Sequence, residues 1–172
     1  METNKPIRIF IVEDSEIYAR SLKKKLESEG FEVQHFSTGE QMISSWEDDP
    51  DIILLDYNIE SELGVAMNGE KILRFIRRIS RNLPVITLTA TNDDIGMATN
   101  MLKLGAVDFI VKRKDQEAFP DLLKTIRQVL EARILREEMS KNKIRVKKYQ
   151  QHLVIFILSI ALAAMTLLWL LS

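Results

Sequence analysis

The chain has 172 residues, 46% of them apolar and 28% charged, with 24 basic and 25 acidic side chains and no cysteine. This composition excludes a disordered or collagen-like chain, and the lack of cysteine excludes a disulfide framework, a thiolate zinc site and a cysteine nucleophile. The net charge of -1 hides an acidic body: residues 1–140 carry 19 basic and 25 acidic side chains, a net of -6, five basic residues crowd into 141–148, and no Asp, Glu, Lys or Arg follows. A nucleic-acid binder should carry its basic surface on the folded domain, so no nucleic-acid partner is expected.

Apolar runs bounded by turn residues recur along the first 130 positions. Ile7–Val12 reads as the first strand, followed by a helix marked by Ile17, Leu22 and Leu26 and ended by Gly30. Phe31–Phe36 is the second strand and Gly39–Trp46 the second helix; Ile52–Leu55 is the third strand. Ile72, Phe75, Ile76 and Ile79 recur at i, i+3, i+4 and i+7 and predict the third helix. Val85–Thr89, a helix over Ile95–Leu104 stopped by Gly105, and Val107–Val111 complete the strands. Continuous apolar strands suit burial on both faces, and five β–α units predict an α/β fold, a doubly wound five-stranded parallel sheet over residues 1–130.

A fifth helix begins around Leu122, Leu123, Ile126, Val129 and Leu130 and meets no Gly or Pro after Pro120. It is expected to run into a charged stem, residues 131–152. There Ala132, Leu135, Met139, Asn142, Val146, Tyr149 and Leu153 follow a 3–4 spacing that suits a homodimeric coiled coil with one polar position. Leu153–Leu171 is 19 residues long, broken in polarity only by Ser159 and Thr166. As a helix it would be about 28 Å long, close to the hydrocarbon thickness of a bilayer. One transmembrane helix over 153–171 is therefore expected. The basic residues Lys141, Lys143, Arg145, Lys147 and Lys148 before it keep the body cytoplasmic, which makes a single-pass, tail-anchored protein of the inner (cytoplasmic) membrane.

In a doubly wound sheet the site lies beyond the carboxyl ends of the strands. After the first strand come Glu13 and Asp14, after the third Asp56 and then Asn58. The fourth ends in Thr89 and the fifth in Lys112. Each residue alone has a plainer reading: Asp14 or Ser15 as a helix cap, Asp56 as a turn residue, Lys112 as a solvated loop lysine. Together they suit phosphoryl transfer to a carboxylate. Asp56 can act as the nucleophile, Glu13, Asp14 and Asp56 can hold Mg²⁺, Lys112 adds a cation and Thr89 a hydroxyl.

At this point the chain resembles the receiver domain of bacterial two-component response regulators. The residues that carry the likeness are IVEDS (11–15), IILLDYN (52–58), MNGEKILRFIRR (67–78), PVITLTA (84–90) and GAVDFIVKR (105–113), within roughly residues 5–130. The resemblance implies a flavodoxin-like sheet of order 2-1-3-4-5. It implies Asp56 as phosphoacceptor, Glu13 and Asp14 as Mg²⁺ ligands, and Asn58 as the residue whose backbone carbonyl joins them. It implies Thr89 and Lys112 as switch hydroxyl and phosphate-pairing lysine, and Phe109 as the aromatic that rotates with Thr89. Three departures stand out. Glu60 replaces a proline four residues after the acceptor, the pattern around Gly69 implies a loop over 60–68 five residues longer than usual, and Arg113 replaces a cis proline after Lys112. A cis bond before Arg would cost about 2.5–4 kcal/mol, so a trans bond is expected there.

The function expected from residues and resemblance together is that of a membrane-tethered receiver. It takes phosphate from a histidine kinase or phosphotransfer protein and signals through protein contacts. Its catalysis is limited to its own phosphorylation and dephosphorylation. Two alternatives are a receiver-like scaffold that is never phosphorylated and a Mg²⁺-dependent phosphohydrolase with an aspartyl nucleophile. The second usually places its nucleophile after the first strand, where this chain has Glu13 and Asp14.

Overall fold

The computed structural model describes residues 5–59, 67–90, 95–112 and 118–170, without the side chains of residues 95, 137, 161–163 and 166–170. The strands are β1 (Arg8–Val12), β2 (Glu32–Phe36), β3 (Ile52–Asp56), β4 (Val85–Thr89) and β5 (Asp108–Val111). They form one parallel sheet in the order β2-β1-β3-β4-β5, as expected. The helices are α1 (Glu16–Ser28), α2 (Gly39–Ser44), α3 (Gly69–Ile79), α4 (Ile95–Lys103) and α5 (Ala118–Leu170). The chain divides into two compact units, Met1–Val129 and Leu130–Ser172.

The central strands are buried along their whole length, which is why they read as unbroken apolar runs. Phe10, Val12, Ile53, Leu55, Ile72, Leu73, Ile76 and Val85 share one core cluster, with Phe10 and Phe36 edge to face at 4.8 Å between centroids. Thr38 and Asn68 cap α2 and α3 by accepting from the backbone N–H groups of Gln41 and Lys71 at 3.2 and 3.0 Å. Arg77 is half-buried at the end of α3. Its guanidinium donates to the carbonyls of Leu83 and Gly105 at 2.8 and 2.7 Å, which ties α3 to the entry of β4 and to the turn before β5. Gly105 ends α4 at φ 104°, and a Cβ there would lie 2.7 Å from Arg77 Nε.

Several expectations need correction. Ile17 does not mark the buried face of α1; it is 86% exposed, and Ala19 joins Leu22 and Leu26 in the core instead. Ile79, at the last turn of α3, is also exposed. The second helix ends at Ser44 and gives way to a 3₁₀ turn over Trp46–Asp48. The strand ending at Val111 is only half-buried, with Val107 and Phe109 exposed, because β5 is an edge strand. Ser15 stands at the α1 N-cap position, but its side chain makes no cap hydrogen bond.

The fifth helix runs unbroken to Leu170, with Pro120 in its first turn, where a missing N–H costs nothing. In the transmembrane span expected over 153–171, the side chains of residues 161–163 and 166–171 lie outside those described. Among the described residues no helix is long and apolar enough to cross a membrane. The loop change at 60–66 and Arg113 also lie outside the described residues.

Candidate phosphoacceptor and metal site

Sheet register brings the expected residues to one edge. Asp56 pairs with Leu88 and Thr89 with Val111, so the residues after Val12, Leu55, Leu88 and Val111 emerge at neighbouring strand ends. Ladder hydrogen bonds continue just past those ends and hold them: Glu13 N to Phe36 O at 3.0 Å, Tyr57 N to Leu88 O at 3.0 Å, Lys112 N to Thr89 O at 2.6 Å. The side chain of His35, on β2, contacts the Glu13 carbonyl through Nε2 at 2.7 Å. Gly69 lets α3 start against the site. A Cβ there would meet the Asp56 carbonyl at 2.6 Å and Tyr57 Cα at 2.8 Å, backbone atoms that cannot move aside.

Glu13, Asp14 and Asp56 each present a carboxylate oxygen within 4.8 Å of the others. Glu13 and Asp56 are buried, at 0% and 2% exposure, and Asp14 is less so. Lys112 Nζ lies 2.8 Å from Asp56 Oδ2 and 2.5 Å from Glu13 Oε2. Among the described residues, Lys112 is the ammonium that pairs with two of these three carboxylates. Burial pushes the Glu13 carboxyl above its ordinary pKa; the Lys112 contact opposes that rise and the charge on Asp56 adds to it. Among the described residues, Glu13 Oε2 makes the ionic contact with Lys112 and no aligned hydrogen bond. A converging, oxygen-only donor set with two of its three carboxylates buried fits a hard divalent cation such as Mg²⁺.

The remaining expected residues are placed less uniformly. The Asn58 backbone N–H donates to Asp56 Oδ1 at 3.2 Å, so that peptide lies beside the Asp56 carboxylate. Thr89 is buried at the end of β4, and its hydroxyl contacts Met97 Sδ on α4 at 3.9 Å. Phe109 is on the edge strand β5, which Lys112 follows, and is exposed. Sequence reasoning missed Tyr18. Its ring centre is 4.9 Å from Lys112 Nζ, and burial, with the Glu13 and Asp56 charges, pushes its hydroxyl pKa up to about 12. A neutral aromatic face under the ammonium favours the charge and orients it. Tyr18 is the third residue of α1, close to the strand end that carries Glu13 and Asp14, but nothing in the sequence says which face of α1 meets β5.

Comparison with known proteins agrees with this geometry. The response regulator receiver domain family matches residues 9–127. The transcriptional regulatory protein AfsQ1 of Streptomyces coelicolor is 33% identical over 105 residues, 60% of this chain and 44% of the relative. The response regulator ArlR of Staphylococcus saprophyticus is 33% identical over 141 residues, 81% of this chain and 57% of the relative. The chain thus spans about half the length of the curated relatives it matches. A response regulator receiver domain protein (CheY-like) from Methanospirillum hungatei superposes with a TM-score of 0.64 at 25% identity, covering 74% of this chain and 95% of that one. A family match over most of the first unit, on a sheet whose strand ends gather three carboxylates and a lysine, leaves one assignment: the chain belongs to the response regulator receiver domain family.

Proposed function

We propose that this chain accepts a phosphoryl group on Asp56 from a histidine kinase or phosphotransfer protein, and that it does so tethered to the inner (cytoplasmic) membrane through residues 153–171. The observation that carries the first half is the setting of Asp56, a buried carboxylate at the end of a central strand with an ammonium 2.8 Å away and two more carboxylates beside it. In the transfer an Asp56 oxygen attacks phosphorus as the bond to the donor's nitrogen breaks, giving an acyl phosphate on Asp56 and a free imidazole. Glu13, Asp14, Asp56 and the Asn58 carbonyl would hold Mg²⁺, which when bound neutralises charge on the transferring group. Lys112 then exchanges its contact with the Asp56 carboxylate for one with a phosphoryl oxygen. The Thr89 hydroxyl leaves Met97 to donate to another, and the space it vacates admits the exposed Phe109 ring. Phosphorylation adds about 1.5–2 negative charges, which biases these surface elements toward a protein partner.

The tether rests on the apolar run 153–171 and on the five basic residues at 141–148 that favour a cytoplasmic face. The relatives AfsQ1 and YkoG are named as transcriptional regulators, and their matched segments cover half or less of each. In this chain the residues after the matched segment are a charged helix and the apolar run, which favour output through protein contacts at the membrane. A receiver-like scaffold that carries no phosphate would not need Asp56, Lys112 and the acidic pair together, and no observation favours it. The test is incubation with acetyl phosphate and Mg²⁺. Wild type should gain one acid-labile phosphate and Asp56→Asn none; retention of the phosphate in that variant would remove the assignment.

A further inference from the structure

The second unit presents a face with nothing of its own to bury it. Leu135, Met139, Val146, Tyr149 and Leu153 are all exposed on α5. Written as heptads, Ala132, Met139, Val146 and Leu153 take the a positions and Leu135, Asn142 and Tyr149 the d positions. Every seam position but one is then apolar, over three consecutive heptads.

Charge at the flanking positions identifies what covers this face. The g positions are Glu131, Glu138 and Arg145, and the e positions are Arg136, Lys143 and Gln150. In a parallel, in-register pair of helices each g residue faces the e residue five positions on in the other copy. Glu131 then meets Arg136, Glu138 meets Lys143, and Arg145 meets the neutral Gln150. Each attraction occurs twice by symmetry and no like charges meet. An antiparallel pair sets e against e, and the e positions hold only cations and a glutamine, so those contacts repel. Asn142 makes the same choice independently. In register and parallel, its amide faces the amide of its own copy and both can hydrogen-bond; shifted or reversed, it lies unpaired against an apolar side chain.

We propose that residues 132–153 form a parallel, in-register, two-stranded coiled coil with a second copy of this chain. Asn142 fixes the register, and the Glu131–Arg136 and Glu138–Lys143 pairs fix the orientation. The pairing needs no phosphate. It goes beyond the phosphoacceptor reading and stands or falls separately from it.

The chain has no cysteine, so single cysteines report contacts without background. The full chain carrying Met139→Cys, Val146→Cys, Ile144→Cys or Gln151→Cys is oxidised in intact cells, in wild-type and in Asp56→Asn backgrounds. The two a-position variants should both give disulfide-linked dimers, in either background, and the two f-position variants, on the outer face, should give none. Glu138→Lys should reduce the dimer formed through Val146→Cys, and adding Lys143→Glu should restore it. Dimer at only one a position would mean an antiparallel or shifted pair. Equal dimer at all four sites would mean random collision, and crosslinks only to other proteins would mean a different partner. Each of these results, or no crosslinking at either a position, overturns the proposal.

Discussion

Residues 1–129 and residues 130–170 use apolar side chains in opposite ways. In the first unit Phe10, Ile53, Leu54, Leu55, Ile72 and Ile76 are fully buried by other parts of the same unit. In the second, Ile134, Leu135, Met139, Ile144, Val146 and every apolar side chain described from Leu153 to Ile160 are exposed. The difference shows where each region's stabilisation comes from. Burial of apolar area stabilises by about 25 cal/mol per Å², and the first unit obtains it internally. The second leaves its described apolar side chains exposed, and the proposed coiled coil and membrane tether would bury them against another copy and against lipid.

The largest test of this contrast is removal of the apolar run. A chain ending at Gln151 should move entirely to the soluble fraction, while the full chain should stay with membranes after a high-salt wash. Release of the full chain by salt alone would mean that the basic residues at 141–148, and not the run after them, make the attachment.

Core truncation should separate the two units by energy. Phe10→Ala should cost about 3–5 kcal/mol in urea unfolding, because it removes a ring held edge to face against Phe36 and leaves a cavity. Met139→Ala, at an exposed stem position, should change unfolding of the first unit by no more than about 0.5 kcal/mol. Comparable losses would mean that the units are not stabilised separately.

Gly69→Ala should cost roughly 1–3 kcal/mol, since the new methyl overlaps the Asp56 carbonyl. It should also slow phosphate acceptance, because any relief of the overlap moves the acceptor strand end. Normal acceptance with only lowered stability would show that the end of β3 tolerates displacement.

The smallest effect concerns charge. The native Glu13 carboxyl holds its proton more tightly than the unfolded chain does. Its contribution to metal-free stability is therefore full below the ordinary value of 4.5 and is lost as pH rises through the raised one. Glu13→Gln removes that loss and leaves Lys112 paired with Asp56. At neutral pH without metal the variant should melt higher than wild type by roughly a few degrees, and it should lose most of the Mg²⁺-induced shift. A full Mg²⁺ shift in the variant would remove Glu13 from the metal site.

Much of this molecule was legible in the chain because each signal was local. The buried strands are continuous apolar runs, the turns are marked by Gly30 and Gly105, and the candidate site residues lie at or just after the ends of β1, β3, β4 and β5. What was not legible depends on neighbours distant in sequence. Ile17 looks like a core residue of α1, yet that helix turns it outward and buries Ala19. The exposure of Phe109 follows from β5 having a strand on one side only. Tyr18 meets Lys112 across more than 90 positions of chain, and no periodicity within α1 announces the contact. The need for glycine at 69 arises from the backbone at 56 and 57, a constraint the sequence contains but does not display.

The account centres on Asp56, and the most direct measurement locates the phosphate chemically. Phosphorylated full chain is reduced with borohydride, which converts an aspartyl phosphate to homoserine, and the peptides are sequenced by mass spectrometry. The account predicts homoserine at position 56 alone, appearing only when Mg²⁺ was present during phosphorylation. Homoserine at position 14 or elsewhere, or equal labelling at 56 without a divalent cation, would contradict it.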